Sequence, residues 1–216
     1  MSHDLKAPLR SITGFSSLLL KKDLNLSEGD KKLFSYIIDG AEAMRNLIDD
    51  LLLYSKTNVD DLKLSQIDLN GIIEDVLSTF KFEIKERNIE VSKTNVGSII
   101  GHRESLYLVF QNIISNAIKY QPKDIEHIPK IKIEYAKHGR KDLVTISDNG
   151  IGLEKSKIKD IYKPFKRLHT SSDYEGTGLG MSIVSRVIAK HSGSINVESE
   201  IGKGTQFIIT LPNEDP

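Results

Sequence analysis

The sequence predicts an α+β protein: an N-terminal helical hairpin, paired with a second copy into a dimeric four-helix bundle, followed by a two-layer α/β sandwich. Three observations carry this reading. Apolar residues recur at helical spacing along two segments of the first 60 residues. From Gln66 onward, helical patterns interleave with short alternating strands. A polar stretch over 56–66 separates the two regimes, so the expected domains are 1–60 and 66–216.

In the first helix Leu5, Leu9, Ile12, Phe15 and Leu19 fall on one stripe at 100° per residue. A break follows over Lys22–Leu26. Ser27 then predicts an N-cap, with Asp30 placed to answer it. The second helix aligns Leu33, Phe34, Ile37, Ile38, Ala41, Met44, Ile48, Leu51 and Leu52. A lone hairpin covers only half of such stripes. Pairing two copies covers the rest, which predicts a homodimer through the hairpin; packing against the following domain is the alternative. The second region reads as a helix over Leu69–Arg87, strands at Ile89–Ser92 and Ser98–Ile100, and a helix over Glu104–Tyr120. Strands at Ile131–Tyr135 and Leu143–Ser147, a helix over Leu179–His191, and strands at Ser194–Glu198 and Gln206–Leu211 complete it.

Composition narrows the function classes. Over 216 residues, 38% hydrophobic and 28% charged content fits a folded soluble domain. Lys+Arg and Asp+Glu both number 30, a balance that argues against a nucleic-acid partner. The sequence has no cysteine, which excludes disulfides, thiol catalysis and zinc–thiolate sites and permits a reducing, cytoplasmic setting. No apolar run approaches the ~20 residues of a membrane helix, so no membrane contact is expected within this stretch. A motif starting at Ser2, without structural run-up, suggests a segment of a longer chain that an anchor elsewhere could tether.

Four segments carry chemistry. In Ser2-His3-Asp4-Leu5-Lys6-Ala7-Pro8-Leu9, His3 lies about 180° from the apolar stripe and should face solvent. An imidazole with a neighbouring carboxylate is a plausible nucleophile and base pair, although Asp4 must curl back to reach it. On the later helix, Asn112, Asn116 and Lys119 share one face. Carboxamide oxygens suit Mg²⁺ and an ammonium suits phosphate, but a merely wet helix face would look the same. Asp148-Asn149-Gly150-Ile151-Gly152-Leu153 follows a strand; its glycines permit a sharp turn and close approach of a flat ligand, and its carboxylate can accept from an exocyclic amine. Gly176-Thr177-Gly178-Leu179-Gly180-Met181 opens a helix whose N-terminus favours an anion. The polar run Lys166–Glu175 before it reads as a lid. Neither a P-loop nor a Rossmann fingerprint is present.

Together these segments resemble the histidine kinases of two-component signalling. The His3 segment is similar to their phospho-acceptor box, Asn112–Tyr120 to the asparagine box, and Asp148–Leu153 to the first glycine box. Tyr162-Lys163-Pro164-Phe165 resembles the phenylalanine box, Gly176–Gly180 the second glycine box, and Gly202-Lys203-Gly204-Thr205 the closing turn. The order matches along the whole chain. The resemblance implies a Bergerat-type ATP-binding sandwich, with ATP and Mg²⁺ as cofactors and a response-regulator receiver domain as partner. It makes His3 the phosphoryl carrier and Asp4 its acid–base neighbour. Asn116 becomes the Mg²⁺ ligand supported by Asn112, while Lys119 and Tyr120 line the phosphate and sugar region. Asp148 reads the adenine amine, with Gly150 and Gly152 shaping its loop and Thr205 joining through water. Lys163, Phe165 and Arg167 close over the triphosphate, and Thr177, Gly178, Leu179 and Gly180 hold it. The sandwich is expected to swing on the 56–66 linker until the γ-phosphorus meets His3.

Three positions depart from the family pattern. Ala7 stands where members that dephosphorylate their partner carry Thr or Asn, which puts phosphatase activity in doubt. Leu108 replaces a common Gln. His102 replaces a common Asp, a change expected to remove a helix cap worth ~1 kcal/mol. His102, His127, His138, His169 and His191 otherwise read as surface or lid residues. Two rivals remain at this level: a degenerate kinase that serves as a nucleotide-binding scaffold, and another Bergerat ATPase of gyrase, chaperone or serine-kinase type.

Overall fold

The computed structural model describes residues 2–21, 26–56, 63–122, 124, 126–168, 174 and 176–213, and of 2–7, 43, 46 and 49–56 the backbone alone. They divide into two compact units, one drawn from 1–58 and 175–177, the other from 59–174 and 178–216.

The first unit is a hairpin of α1 (Ser2–Lys21) and α2 (Glu28–Lys56). Pro8 sits inside α1 without ending it. Ser27 and Asp30 form the reciprocal cap that their spacing predicts: the Asp30 N–H donates to Ser27 Oγ at 3.1 Å and the Ser27 N–H to Asp30 Oδ2 at 3.2 Å. Most of the expected break, 22–25, and the linker residues 57–62 lie outside the described residues. Leu9 and Ala41 are buried in the seam, yet Ile12, Phe15, Leu19, Leu33, Ile37 and Met44 remain exposed. Two helices cover one another along a line, whereas these stripes are wider than a line.

In the second unit, α3 (Leu69–Thr79), α5 (Arg103–Lys119) and α6 (Gly180–Lys190) each bury an apolar face. A five-stranded sheet supplies the other layer, in the order β2 (Glu90–Lys93), β4 (Lys130–His138), β5 (Lys141–Asp148), β7 (Gly204–Pro212), β6 (Ser194–Glu200). β2 runs parallel to β4, and the remaining pairs are antiparallel. Alternation sets the layers: Ile131, Ile133, Val144, Ile146, Phe207, Ile209 and Leu211 are buried, while their strand neighbours are not. No helix among the described residues is long and apolar enough to cross a membrane.

The sequence reading differs from the structure in several places. The helix expected over 69–87 is two, α3 and α4 (Lys81–Glu86), parted at Phe80. Ser78 and Thr79 both donate side-chain hydrogen bonds to the Asp75 carbonyl, at 2.7 and 3.1 Å, which competes with the helical ladder before that point. A strand unforeseen at the end of the linker, β1 (Ser65–Asp68), pairs with β3 (Ser98–Gly101). A 3₁₀ helix, Lys155–Tyr162, occupies a stretch for which the sequence reading gives no element. His102 does not remove the cap of α5; it is the cap. Its Nδ1 accepts from the Ser105 N–H at a long 3.4 Å and pairs with Ser105 Oγ at 2.9 Å. His191 is no surface residue either, being 1% exposed. Its Nδ1–H donates to the Val187 carbonyl at 2.8 Å, its Nε2 accepts from the His102 N–H at 3.0 Å, and burial lowers its pKa. It thereby locks the end of α6 to the start of α5.

Candidate functional site

Strand β5 ends at Asp148, where the chain turns sharply beneath the β6–β7 hairpin. Asp148 Oδ1 accepts two backbone N–H groups, from Gly150 at 2.8 Å and from Thr205 at 3.2 Å. Those bonds favour the carboxylate, but burial outweighs them and pushes its pKa up to about 6. The closeness of the two segments requires glycine. Gly152 and Gly204 have φ of 67° and 103°, and a Cβ would stand 2.0 Å from the Glu200 carbonyl oxygen and 1.9 Å from that of Asp148, respectively. At Gly150 a Cβ would meet the Tyr120 carbonyl oxygen at 2.3 Å. The space left by the missing side chains is therefore filled by backbone, where the sequence suggested a flat ligand.

Ser199, which carried no sequence signal, completes this corner. Its Oγ accepts from the Leu153 N–H at 2.8 Å, donates to the Gly204 carbonyl at 2.9 Å and lies 2.9 Å from Thr205 Oγ1. Thr205 thus meets Asp148 directly through its N–H, and its hydroxyl is aligned by Ser199.

Helix α5 brings the amide stripe alongside. The Tyr120 carbonyl accepts from the Ile151 N–H at 3.0 Å, which fastens the end of α5 to the Asp148 loop. Asn112, Asn116 and Lys119 are half-buried on α5. Asn112 Nδ2 donates to the Leu108 carbonyl at 2.8 Å, and its Oδ1 abuts Gly180, where a Cβ would lie only 2.2 Å away. The Asn116 carboxamide has no hydrogen-bond partner among the described residues. Lys119 Nζ donates to Tyr120 Oη at 2.9 Å and sits 4.4 Å from that ring's centroid.

Beyond the 3₁₀ helix, Phe165 is exposed and adopts a φ of 61°; its N–H donates to the Gly178 carbonyl at 3.0 Å. Lys163 and Lys166 share Asp160 at 2.7 and 2.6 Å, and the two ammoniums hold that carboxyl at about 2. Arg167 donates to the Tyr174 carbonyl. Lys163 and Arg167 are accordingly bound to protein partners in this structure. Leu179 is buried, and α6 opens at Gly180 with no side-chain cap, the arrangement in which a helix N-terminus can receive an anion. Thr177 is half-buried and falls in the first unit. His3 and Asp4 lie on the backbone of α1, and the predicted exposure of His3 lies outside the described residues, as do lid residues 169–173 and 175.

A half-buried carboxylate at a strand end, an amide stripe and a helix start without a side-chain cap are suited to a base with an exocyclic amine and a phosphate chain. Mg²⁺ fits the donor set in one respect: Asn116 offers a hard oxygen that no described residue claims. No trio of His, Cys, Asp or Glu among the described residues is placed to hold a metal, so an ion here would rely on phosphate and water for its other ligands.

Comparison with known proteins identifies the family. Residues 101–215 match the family described as histidine kinase-, DNA gyrase B-, and HSP90-like ATPase, and residues 1–60 match the His Kinase A (phospho-acceptor) domain. The chain is 32% identical over 212 residues to the phytochrome-like protein Cph1 of Synechocystis sp. strain PCC 6803, covering 98% of this chain and 28% of Cph1. Full-length ShkA in complex with AMPPNP shares the fold, with a TM-score of 0.75 at 21% identity over 100% of this chain and 45% of that one. Histidine kinase ThkA in complex with response regulator protein TrrA gives a TM-score of 0.68 at 24% identity over 98% of this chain and 59% of that one. The chain thus spans less than a third of Cph1. With the ATPase family matched over the sandwich and the phospho-acceptor domain matched over the hairpin, this chain belongs to the sensor histidine kinases.

Proposed function

We propose that the chain phosphorylates its own His3 from Mg-ATP and passes the phosphoryl group to an aspartate of a response-regulator receiver domain. The observation that carries this reading is the Asp148 corner, a carboxylate fixed by Gly150 and Thr205 beside the amide stripe of α5. Residues 66–216 form the ATP-binding domain and residues 1–60 the dimerisation and phosphotransfer hairpin. The exposed apolar residues Ile12, Phe15, Leu33 and Ile37 support a homodimer, because one chain leaves them uncovered. ThkA, a protein of this fold, is known in complex with response regulator protein TrrA, which supports the receiver domain as partner. A cytoplasmic setting is part of the same proposal.

Asp148, ionised above about pH 6, accepts from the adenine amine, and Thr205 aids it. Lys119 meets phosphate oxygens, and Asn112 braces the start of α6 where the triphosphate is held by Gly178, Leu179 and Gly180. Asn116 would hold Mg²⁺, which when bound neutralises phosphate charge. A His3 imidazole nitrogen attacks the γ-phosphorus, the bond to the β,γ-bridging oxygen breaks, and ADP leaves. Asp4 takes the proton released from the ring. The phosphoramidate then gives its phosphoryl group to the receiver carboxylate, and as the N–P bond breaks the ring takes its proton back from Asp4, restoring neutral His3.

Incubation with γ-labelled ATP tests this directly. The protein should acquire label that is lost in acid and kept in base; acid-stable label would indicate a hydroxyl acceptor and end the histidine assignment. Replacing Asn116 with Ala should weaken Mg-ATP binding by roughly tenfold or more while leaving metal-free nucleotide binding nearly unchanged. Equal weakening in both conditions would remove Asn116 from the metal. A nucleotide-binding scaffold without kinase activity would acquire no label at all.

A further inference from the structure

Tyr174 lies in the polar run Lys166–Glu175, outside the boxes that carry the family resemblance, yet it touches two parts of the site. Its hydroxyl donates to the Gln121 carbonyl at 3.1 Å, just past the end of α5. Its ring lies against that of Tyr120, with centroids 5.1 Å apart and planes tilted by 55°. Its own carbonyl receives the Arg167 guanidinium. Tyr120 in turn holds Lys119 twice, through its hydroxyl at 2.9 Å and through its ring face at 4.4 Å. Gln121 is itself buried and fixed, its Nε2 donating to the Ala117 carbonyl at 2.6 Å and its Oε1 facing His127 Nε2 at 2.9 Å. Tyr174 is thus anchored at the end of α5 and packs on the ring that holds Lys119.

We infer that Tyr174 is a positioning residue for the nucleotide's phosphates, acting through Tyr120 on the Lys119 ammonium. The inference rests on the ATP-binding reading above. It predicts a loss that depends on which part of the nucleotide is present, because an ammonium held out of place matters to phosphates and not to the base. A residue that only supported the fold would weaken every ligand alike.

The test is calorimetric titration of the whole chain and its variants with Mg-ATP, Mg-ADP and adenosine. Tyr174→Ala should weaken Mg-ATP roughly three- to tenfold, the size of an aromatic pair, weaken Mg-ADP less, and leave adenosine within about twofold. Tyr174→Phe keeps the ring and should recover most of the Mg-ATP affinity. Combined with Lys119→Ala, Tyr174→Ala should cost no further affinity, since the group it positions is gone. Equal loss for all three ligands, no loss, or full additivity with Lys119→Ala would overturn the inference. If Tyr174→Ala fails to fold, Tyr174→Leu tested in the same cycle decides. Absence of Mg-ATP binding by the unaltered chain would instead refute the nucleotide reading and is read first.

Discussion

His3→Gln should reduce labelling from γ-labelled ATP to background while Mg-ATP affinity stays within about twofold. Glutamine keeps a polar side chain of similar reach and good helix propensity, so α1 should persist. What it lacks is a nitrogen with an available lone pair in the aromatic plane; a carboxamide nitrogen gives its pair to the carbonyl and does not attack phosphorus. The adenine and phosphate groups assigned here all lie in other segments, so binding has no reason to change. Label retained on the variant would move the acceptor elsewhere. Affinity lost together with label would mean that His3 contributes to the nucleotide site itself.

The second large effect is expected at Asp148, where Asn should cost roughly 1.5–3 kcal/mol of nucleotide binding, about 10- to 150-fold. The variant is informative because the fold has an independent use for this side chain. Asparagine can still present one oxygen to the Gly150 and Thr205 N–H groups, so the corner should survive. Its other atom then becomes an NH₂ that faces the adenine amine, donor against donor. pH separates the two roles. With the carboxyl raised to about 6, affinity should climb as pH rises through that value, and in Asp148→Asn the climb should vanish. Stability runs the other way. A carboxyl whose folded pKa exceeds its ordinary value stabilises the fold fully below that ordinary value, and the contribution is lost as pH rises through about 6. Affinity that is flat across this range in the unaltered chain would detach Asp148 from the base.

Much of this is legible in the amino-acid sequence alone. The long periodic helices and the strands flanked by glycine were read close to their observed ends, because amphipathic period and turn chemistry are local properties. Asp148 and Thr205 were picked out separately, and their meeting through a backbone N–H depends on two glycines whose missing side chains admit the opposite backbone. Residues that act only through tertiary contact were invisible. Ser199 is one serine in a polar strand, and Tyr174 one aromatic in a polar loop. His191 is hidden for the same reason, since the His102 N–H that it accepts lies 89 positions away along the chain. The cap that His102 makes is local, on Ser105 three residues on, but histidine is an unusual residue for that role. The division of Leu69–Arg87 into two helices turned on hydroxyls competing for one carbonyl, a contest that apolar periodicity does not record.

The uncovered face of the α1–α2 hairpin ties two equilibria together. A pair of helices with Phe15, Leu18, Leu33 and Tyr36 open to water draws little stability from its own narrow seam. In the proposed homodimer, folding of this unit is linked by mass action to association, and dilution weakens both at once. The sandwich encloses its own core and is under no such obligation. The amount of folded hairpin in that pairing would therefore rise more steeply than in proportion to the amount of chain present.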